Sequence, residues 1–127
     1  MKWVLSSKIQ KAIVVGADPE YVGSVTIDED LMDRAGLWAG ERVMVVSTKG
    51  TRLETYVLTG KRSSGDILIN GPAALLIKEG EEVMILGFTL TDRPIKAKNI
   101  LVDRNNRFVR DVDEKEREKL EYFPTTV

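Results

Sequence analysis

The chain has 127 residues, 43% of them apolar, and its 19 basic and 20 acidic side chains leave a formal charge of −1. That length supports one compact domain burying roughly two-thirds of the surface its unfolded form exposes, and the charge balance lacks the basic excess of a non-specific nucleic-acid binder. Cysteine and histidine are both absent, which excludes disulfides and Ser-His-Asp or Cys-His nucleophiles, and leaves zinc only carboxylate ligands.

No apolar run approaches the length of a membrane span, and the opening Met1-Lys2-Trp3-Val4-Leu5 lacks the long apolar core of a signal peptide. A cytoplasmic protein with neither membrane nor nucleic-acid partner is the expectation. Ile9 to Val15 reads as a strand with at least one buried face, stopped by the turn chemistry of Gly16-Ala17-Asp18-Pro19-Glu20. Tyr21 to Ile27 returns to β-branched residues, which puts Gly23-Ser24 near the start of a strand. Asp28 then caps a short helix with Leu31, Met32 and Ala35 as its apolar stripe, and Gly36 supplies the left-handed residue that ends it.

Val43 to Val46 predicts a buried strand that turns at Thr48-Lys49-Gly50 into a second one, Arg52 to Leu58. The period of two puts Arg52, Glu54 and Tyr56 on one face and Leu53, Thr55 and Val57 on the other, unless a bulge brings Thr55 and Tyr56 together. Gly65 to Ile69 makes another strand, Asn70-Gly71-Pro72 turns, Ala73 to Leu76 forms a helical turn, and Val83 to Leu90 is the last long apolar strand. Ile100-Leu101-Val102 and Phe108-Val109 pair around Asn105-Asn106 as an edge hairpin outside the core. Residues 111–127 read as a peripheral helical or frayed tail of a single domain spanning 1–127. Short, regularly spaced strands with brief helices between them indicate a mainly β fold, a small closed barrel.

Without His or Cys, an enzyme on this chain must take its acids and bases from Asp, Glu, Lys and Tyr, or generate an electrophile. Taken singly, the polar candidates are ordinary. A Gly-Ser pair at a strand start serves a bulge or a local hydrogen bond, Tyr56 a half-buried strand, Arg52 and Lys8 the solvated surface, and Asn70-Gly71 a turn.

Their order and spacing, however, resemble the pyruvoyl-dependent aspartate 1-decarboxylase family. The matching stretches are Lys8-Ile9, Tyr21-Val22-Gly23-Ser24-Val25-Thr26-Ile27-Asp28, Leu31-Met32-Asp33 with Ala35-Gly36, Gly50-Thr51-Arg52 with Thr55-Tyr56, and Ile69-Asn70-Gly71 with Ala73-Ala74. The resemblance implies a six-stranded double-psi β-barrel, a homotetramer with active sites between subunits, and room for a maturation factor. It also implies a pyruvoyl group made from Ser24 by self-cleavage of the Gly23–Ser24 bond, with neither metal nor pyridoxal phosphate.

In the roles this carries over, the Ser24 hydroxyl attacks the Gly23 carbonyl, and Thr55 and Asn70 assist that processing step. Glycine at 23 permits a strained backbone and close approach of the hydroxyl. The resulting ketone takes the amine of L-aspartate as a Schiff base and draws off the electrons left when CO2 departs, giving β-alanine for pantothenate biosynthesis. Arg52 and Lys8 anchor the two carboxylates, Tyr56 reprotonates the carbon, and Tyr21, Gly71, Pro72 and Ala73 line the pocket. Two positions depart from the family's pattern. Gln10 stands where many relatives carry histidine, leaving only hydrogen bonding there, and Pro72 replaces the usual alanine and removes a backbone N–H. A different class of reading is an uncleaved double-psi or swapped-hairpin barrel that binds small acids or DNA, because Thr26 to Gly36 followed by Gly40-Glu41-Arg42-Val43 also resembles the unit of swapped-hairpin transcription factors.

Overall fold

A computed structural model describes residues 1–113. The expected tail therefore lies outside the described residues from position 114 onward, while Asp111 ends a strand and Val112 is buried. The elements in chain order are β1 (Lys2–Ile13), β2 (Gly16–Asp18), β3 (Ser24–Asp28), α1 (Glu29–Ala35), β4 (Arg42–Ser47), β5 (Arg52–Gly60), β6 (Ile67–Asn70), a 3-10 turn (Gly71–Leu75), β7 (Glu82–Thr91), β8 (Lys98–Val102) and β9 (Phe108–Asp111).

The strands hydrogen-bond in the order β2-β6-β3-β5-β4-β7-β1-β8-β9. The fold is mainly β, as expected, but the described residues pair as nine strands in an order with two ends rather than as a closed ring of six. Two of the extra strands come from segments with weak local signals. Gly16-Ala17-Asp18 reads as turn chemistry, yet it pairs in parallel with Leu68, Ile69 and Asn70 of β6, a contact that sequence periodicity cannot reveal. The Ile100 hairpin is the second case, and its first strand lies in the core rather than outside it as the local polarity predicts. Ile100, Leu101 and Val102 are all buried, and β8 runs parallel to β1 between that strand and β9. An uninterrupted apolar run is the mark of a strand covered on both faces, and the polar flanks concealed it. Only β9 is an edge.

One hydrophobic cluster serves the whole sheet. Ile9 of β1, Val25 and Ile27 of β3, Val45 of β4, Val57 of β5, Ile67 of β6, Ile85 of β7 and Ile100 of β8 are each completely buried in it. Side chains from strands as far apart in the pairing order as β6 and β8 meet only if the sheet curls on itself. Truncating one of these isoleucines to alanine costs about 2–5 kcal/mol. Bonds outside the ladders hold the curl: Val15 N–H donates to Ile67 O at 2.9 Å, and the fully buried Asn106 side chain donates to Ile13 O and to Gly65 O, both at 2.8 Å. β1 bends through two register shifts against β7, with Lys11 in the left-handed region at φ 63°.

The helix forms where its caps predict. Asp28 accepts from Asp30 N–H at 2.9 Å, and Gly36 at φ 73° ends the helix as Leu37 N–H bonds back to Met32 O at 2.8 Å. Arg62 pairs with Glu29, Asp30 and Asp33, tying the loop after β5 to the exposed face of α1. The Ser63 hydroxyl and the Arg62 guanidinium hold the Asp30 carboxyl below its usual range.

Candidate active site

β3 begins at a boundary. Tyr21, Val22 and Gly23 are exposed, whereas Ser24 is buried with 1% of its surface accessible. The Gly23–Ser24 peptide bond thus lies where the chain passes from a solvent-facing turn into the sheet. A buried hydroxyl needs partners, and Ser24 has two: its Oγ donates to Val22 O at 3.2 Å and accepts from Asn70 Nδ2 at 3.0 Å. The amide of Asn70 donates to Thr26 Oγ1 as well, also at 3.0 Å, so both its N–H groups are committed to hydroxyls.

Strand pairing creates this network. β3 and β6 are antiparallel, with Ser24 opposite Asn70, and alternation returns Thr26 to the face of Ser24. Asn70 is 5% exposed and stands at the end of β6, immediately before the 3-10 turn. On the other side β3 runs parallel to β5, with Val25 beside Val57. Extended one step beyond that ladder the register puts Tyr56 next to Ser24, and two steps beyond it puts Thr55 next to Gly23. Tyr56 is 37% exposed and Thr55 half-buried. Neither pairing of β5 contains a register shift, so no bulge turns Thr55 and Tyr56 to a common face.

The remaining candidates fall into two groups. Gly71, Pro72 and Ala73 open the 3-10 turn directly after Asn70, with Gly71 buried at φ 78° and Pro72 in the first turn, where its missing N–H is tolerated. Tyr21 is 55% exposed in the turn before the candidate cleavage point. Of these, Gly71 lies against the backbone of Gly23 and Tyr21. Arg52 starts β5, four residues or about 13 Å of strand before Tyr56, and Lys8 sits on β1 between β7 and β8; neither strand position is next to Ser24 in a ladder. Gln10 Nε2 donates to Asn99 Oδ1 at 3.0 Å, a hydrogen bond of the kind expected of that replacement.

Neither backbone strain nor close packing requires glycine at position 23. Its backbone is outside the left-handed region, and a Cβ added there meets nothing within 4 Å. The steric demand for glycine falls on the residue across from it, Gly71.

Comparison with known proteins settles the family. The family model described as Aspartate decarboxylase matches residues 1–109. An aspartate 1-decarboxylase of Thermotoga sp. (strain RQ2) is 46% identical over 108 residues, covering 84% of this chain and 95% of the relative. That of Corynebacterium efficiens is 49% identical over 114 residues, covering 86% and 84%. The chain belongs to the aspartate decarboxylase family. Among solved structures, the rationally designed mkDPBB_sym_86 protein superposes with a TM-score of 0.47 at 24% identity, covering 65% of this chain and 91% of that one.

For a member of the aspartate decarboxylase family, the residue that sequence reasoning passed over is Thr26. The signal was present: hydroxyls at 24 and 26 are two apart in a strand and must share a face. What the spacing lacked was the asparagine between them, supplied by β6. Among the described residues, no group of three or more His, Cys, Asp or Glu side chains is placed to hold a metal ion, and no helix is long and apolar enough to cross a membrane.

Proposed function

We propose that this chain is the precursor of a pyruvoyl-dependent aspartate 1-decarboxylase, which cuts its own Gly23–Ser24 bond and then converts L-aspartate to β-alanine and CO2 for pantothenate biosynthesis. The observation that carries the reading is the buried Ser24 hydroxyl, held by Asn70 at 3.0 Å beside an exposed glycine, in a chain that shares 46% identity with a named aspartate 1-decarboxylase. The residues present fit a pyruvoyl group at this position: a serine follows the glycine, its oxygen is fixed, and the turn before it is open for the new chain ends to separate.

In the processing step, Ser24 Oγ attacks the carbonyl carbon of Gly23. A C–O ester bond forms, the C–N bond breaks, and the proton lost by the hydroxyl ends on the freed nitrogen. Elimination of the Gly23 carboxylate and hydrolysis with loss of ammonia complete the maturation. Asn70 fixes the attacking oxygen, while Thr55, next to Gly23 in the β5 register, stabilises the charge growing on the carbonyl oxygen. The fragment ending at Gly23 stays attached, because β1 lies between β7 and β8 and β2 pairs with β6.

The pyruvoyl carbonyl supplies the electron sink for decarboxylation. Around it, Arg52 and Lys8 bind the two substrate carboxylates, Arg52 through its fork of N–H groups. Tyr56 delivers a proton to the carbon that has lost CO2. Tyr21, Gly71, Pro72 and Ala73 enclose the substrate, with Pro72 contributing shape but no N–H. A homotetramer that encloses its sites between subunits, as the family resemblance implies, is part of the proposal. One cytoplasmic domain over residues 1–127, built on a double-psi barrel and matured with or without an accessory factor, completes the reading.

Denaturing mass spectrometry of the purified protein tests it. Two fragments are expected, a short one ending at Gly23 and a longer one whose first residue lacks an amine. An intact chain that nonetheless produces β-alanine would overturn the mechanism.

A further inference from the structure

We infer that Gly71 is a positioning residue for backbone cleavage: the space left by its missing side chain is where the backbone of Gly23 rests. The inference depends on the self-cleavage reading above and adds a residue to it. In the antiparallel β3–β6 register, Ser24 faces Asn70, and one step past the end of the ladder Gly23 faces Gly71. A Cβ built on Gly71 would lie 2.6 Å from Gly23 Cα, 2.8 Å from Gly23 N and 3.1 Å from Tyr21 O. All three are backbone atoms, so no flexible side chain can swing away. Any side chain at 71 must move the main chain that leads into the Gly23–Ser24 bond.

That displacement acts on the reacting geometry. Asn70, adjacent in sequence, holds the Ser24 oxygen at 3.0 Å, so residues 70 and 71 together fix the attacking atom and the backbone carrying the attacked carbon. Misplacement of such a pair by about 1 Å is enough to slow a reaction on the order of a hundredfold. The role is separate from enclosing substrate, because it operates before any substrate binds.

A control exists within the same chain. Gly80 is also left-handed, at φ 90°, but a Cβ there meets nothing within 4 Å. Gly80→Ala therefore imposes the backbone strain of a left-handed alanine without a collision, while Gly71→Ala imposes both. The fraction of chain cleaved against time is read by denaturing mass spectrometry, with thermal melting of each variant alongside. Wild type and Gly80→Ala should cleave at the same rate, and Gly71→Ala should retain a cooperative melt and cleave at least about tenfold more slowly. Should Gly71→Ala not fold, Gly71→Asn carries the same test, since asparagine tolerates the left-handed backbone but keeps the Cβ. Cleavage of a folded position-71 variant at the wild-type rate, or equal slowing in Gly80→Ala, overturns the inference and leaves the self-cleavage reading standing. A wild-type chain that never cleaves removes both.

Discussion

β3 is five residues long and carries a buried polar side chain at each end, Ser24 at the first position and Asp28 at the last, 1% and 2% exposed. The Asp28 carboxylate accepts three backbone N–H bonds, from Asp30 at 2.9 Å, Ser63 at 3.1 Å and Gly65 at 2.8 Å. Every partner belongs to the main chain, so that end of the strand is a fixed joint between α1 and the loop before β6. The Ser24 oxygen has a side-chain donor in Asn70 and a carbonyl only two residues away, and the chain next to it is exposed. Burial alone therefore does not distinguish a joint from a reactive group. What distinguishes them is whether the partners lock the polar atom into the scaffold or leave it beside a bond it can attack.

Ser24→Ala breaks this comparison most strongly. Cleavage should disappear, while stability in a urea titration falls by only about 1 kcal/mol, the cost of one Asn70 N–H left unpaired. Tyr56→Phe keeps cleavage intact but should lower turnover of β-alanine formation by roughly a hundredfold, the usual contribution of a positioned proton donor; unchanged turnover would remove Tyr56 from that role. The opposite end responds in the opposite way. Asp28→Ala should cost about 3 kcal/mol of stability in urea, because three backbone donors lose their acceptor, and the molecules that remain folded should still cleave. If folded Asp28→Ala stops cleaving, the two ends are not independent.

Thr26→Val sharpens the contrast within the Ser24 network. Loss of its hydroxyl frees one N–H of Asn70, so cleavage should slow by a few-fold on the order of one hydrogen bond, and Thr26→Ser should restore it; equal slowing in both variants would assign Thr26 to packing instead.

Glu81 provides a second joint and the smallest effect. It accepts from Ser47 Oγ at 2.6 Å and from Lys78 N–H at 2.7 Å, and the Ser47 bond, then the Lys78 bond, hold its carboxyl below the usual 4.5. A depressed folded-state value means the stabilisation is present above about pH 4.5 and is lost as pH falls through the folded value. Glu81→Gln should therefore flatten part of the acid-side loss of stability in melts below pH 4.5, and an unchanged slope would show that Glu81 contributes nothing to it.

How legible these features were depended on their range. Asp28, Leu31, Met32, Ala35 and Gly36 specified the helix because caps and stripe lie within nine residues of one another, and the alternation from Arg52 to Val57 gave the correct faces of β5. The Ile100 strand was misread because its burial comes from β1, ninety residues earlier in the chain. The site divides in the same manner. The stretch from Tyr21 to Asp28, together with Asn70-Gly71, carries the proposed cleavage point by resemblance, yet the hydroxyl pair at 24 and 26 and the contact between Gly23 and Gly71 depend on β6 lying against β3.

By itself, then, the sequence determined the absence of histidine and cysteine chemistry, the mainly β character, the helix and its caps, and the family residues from Lys8 to Ala73. Those follow from composition, from patterns repeating over a few residues and from matched order along the chain. Tertiary structure alone decided that nine strands pair, that β8 belongs to the core, that Asn70 serves two hydroxyls, and that the glycine with no room for a side chain is Gly71. Each of these is a contact between segments far apart in the chain, and steric fit across such a contact leaves no period or spacing in either segment from which to read it.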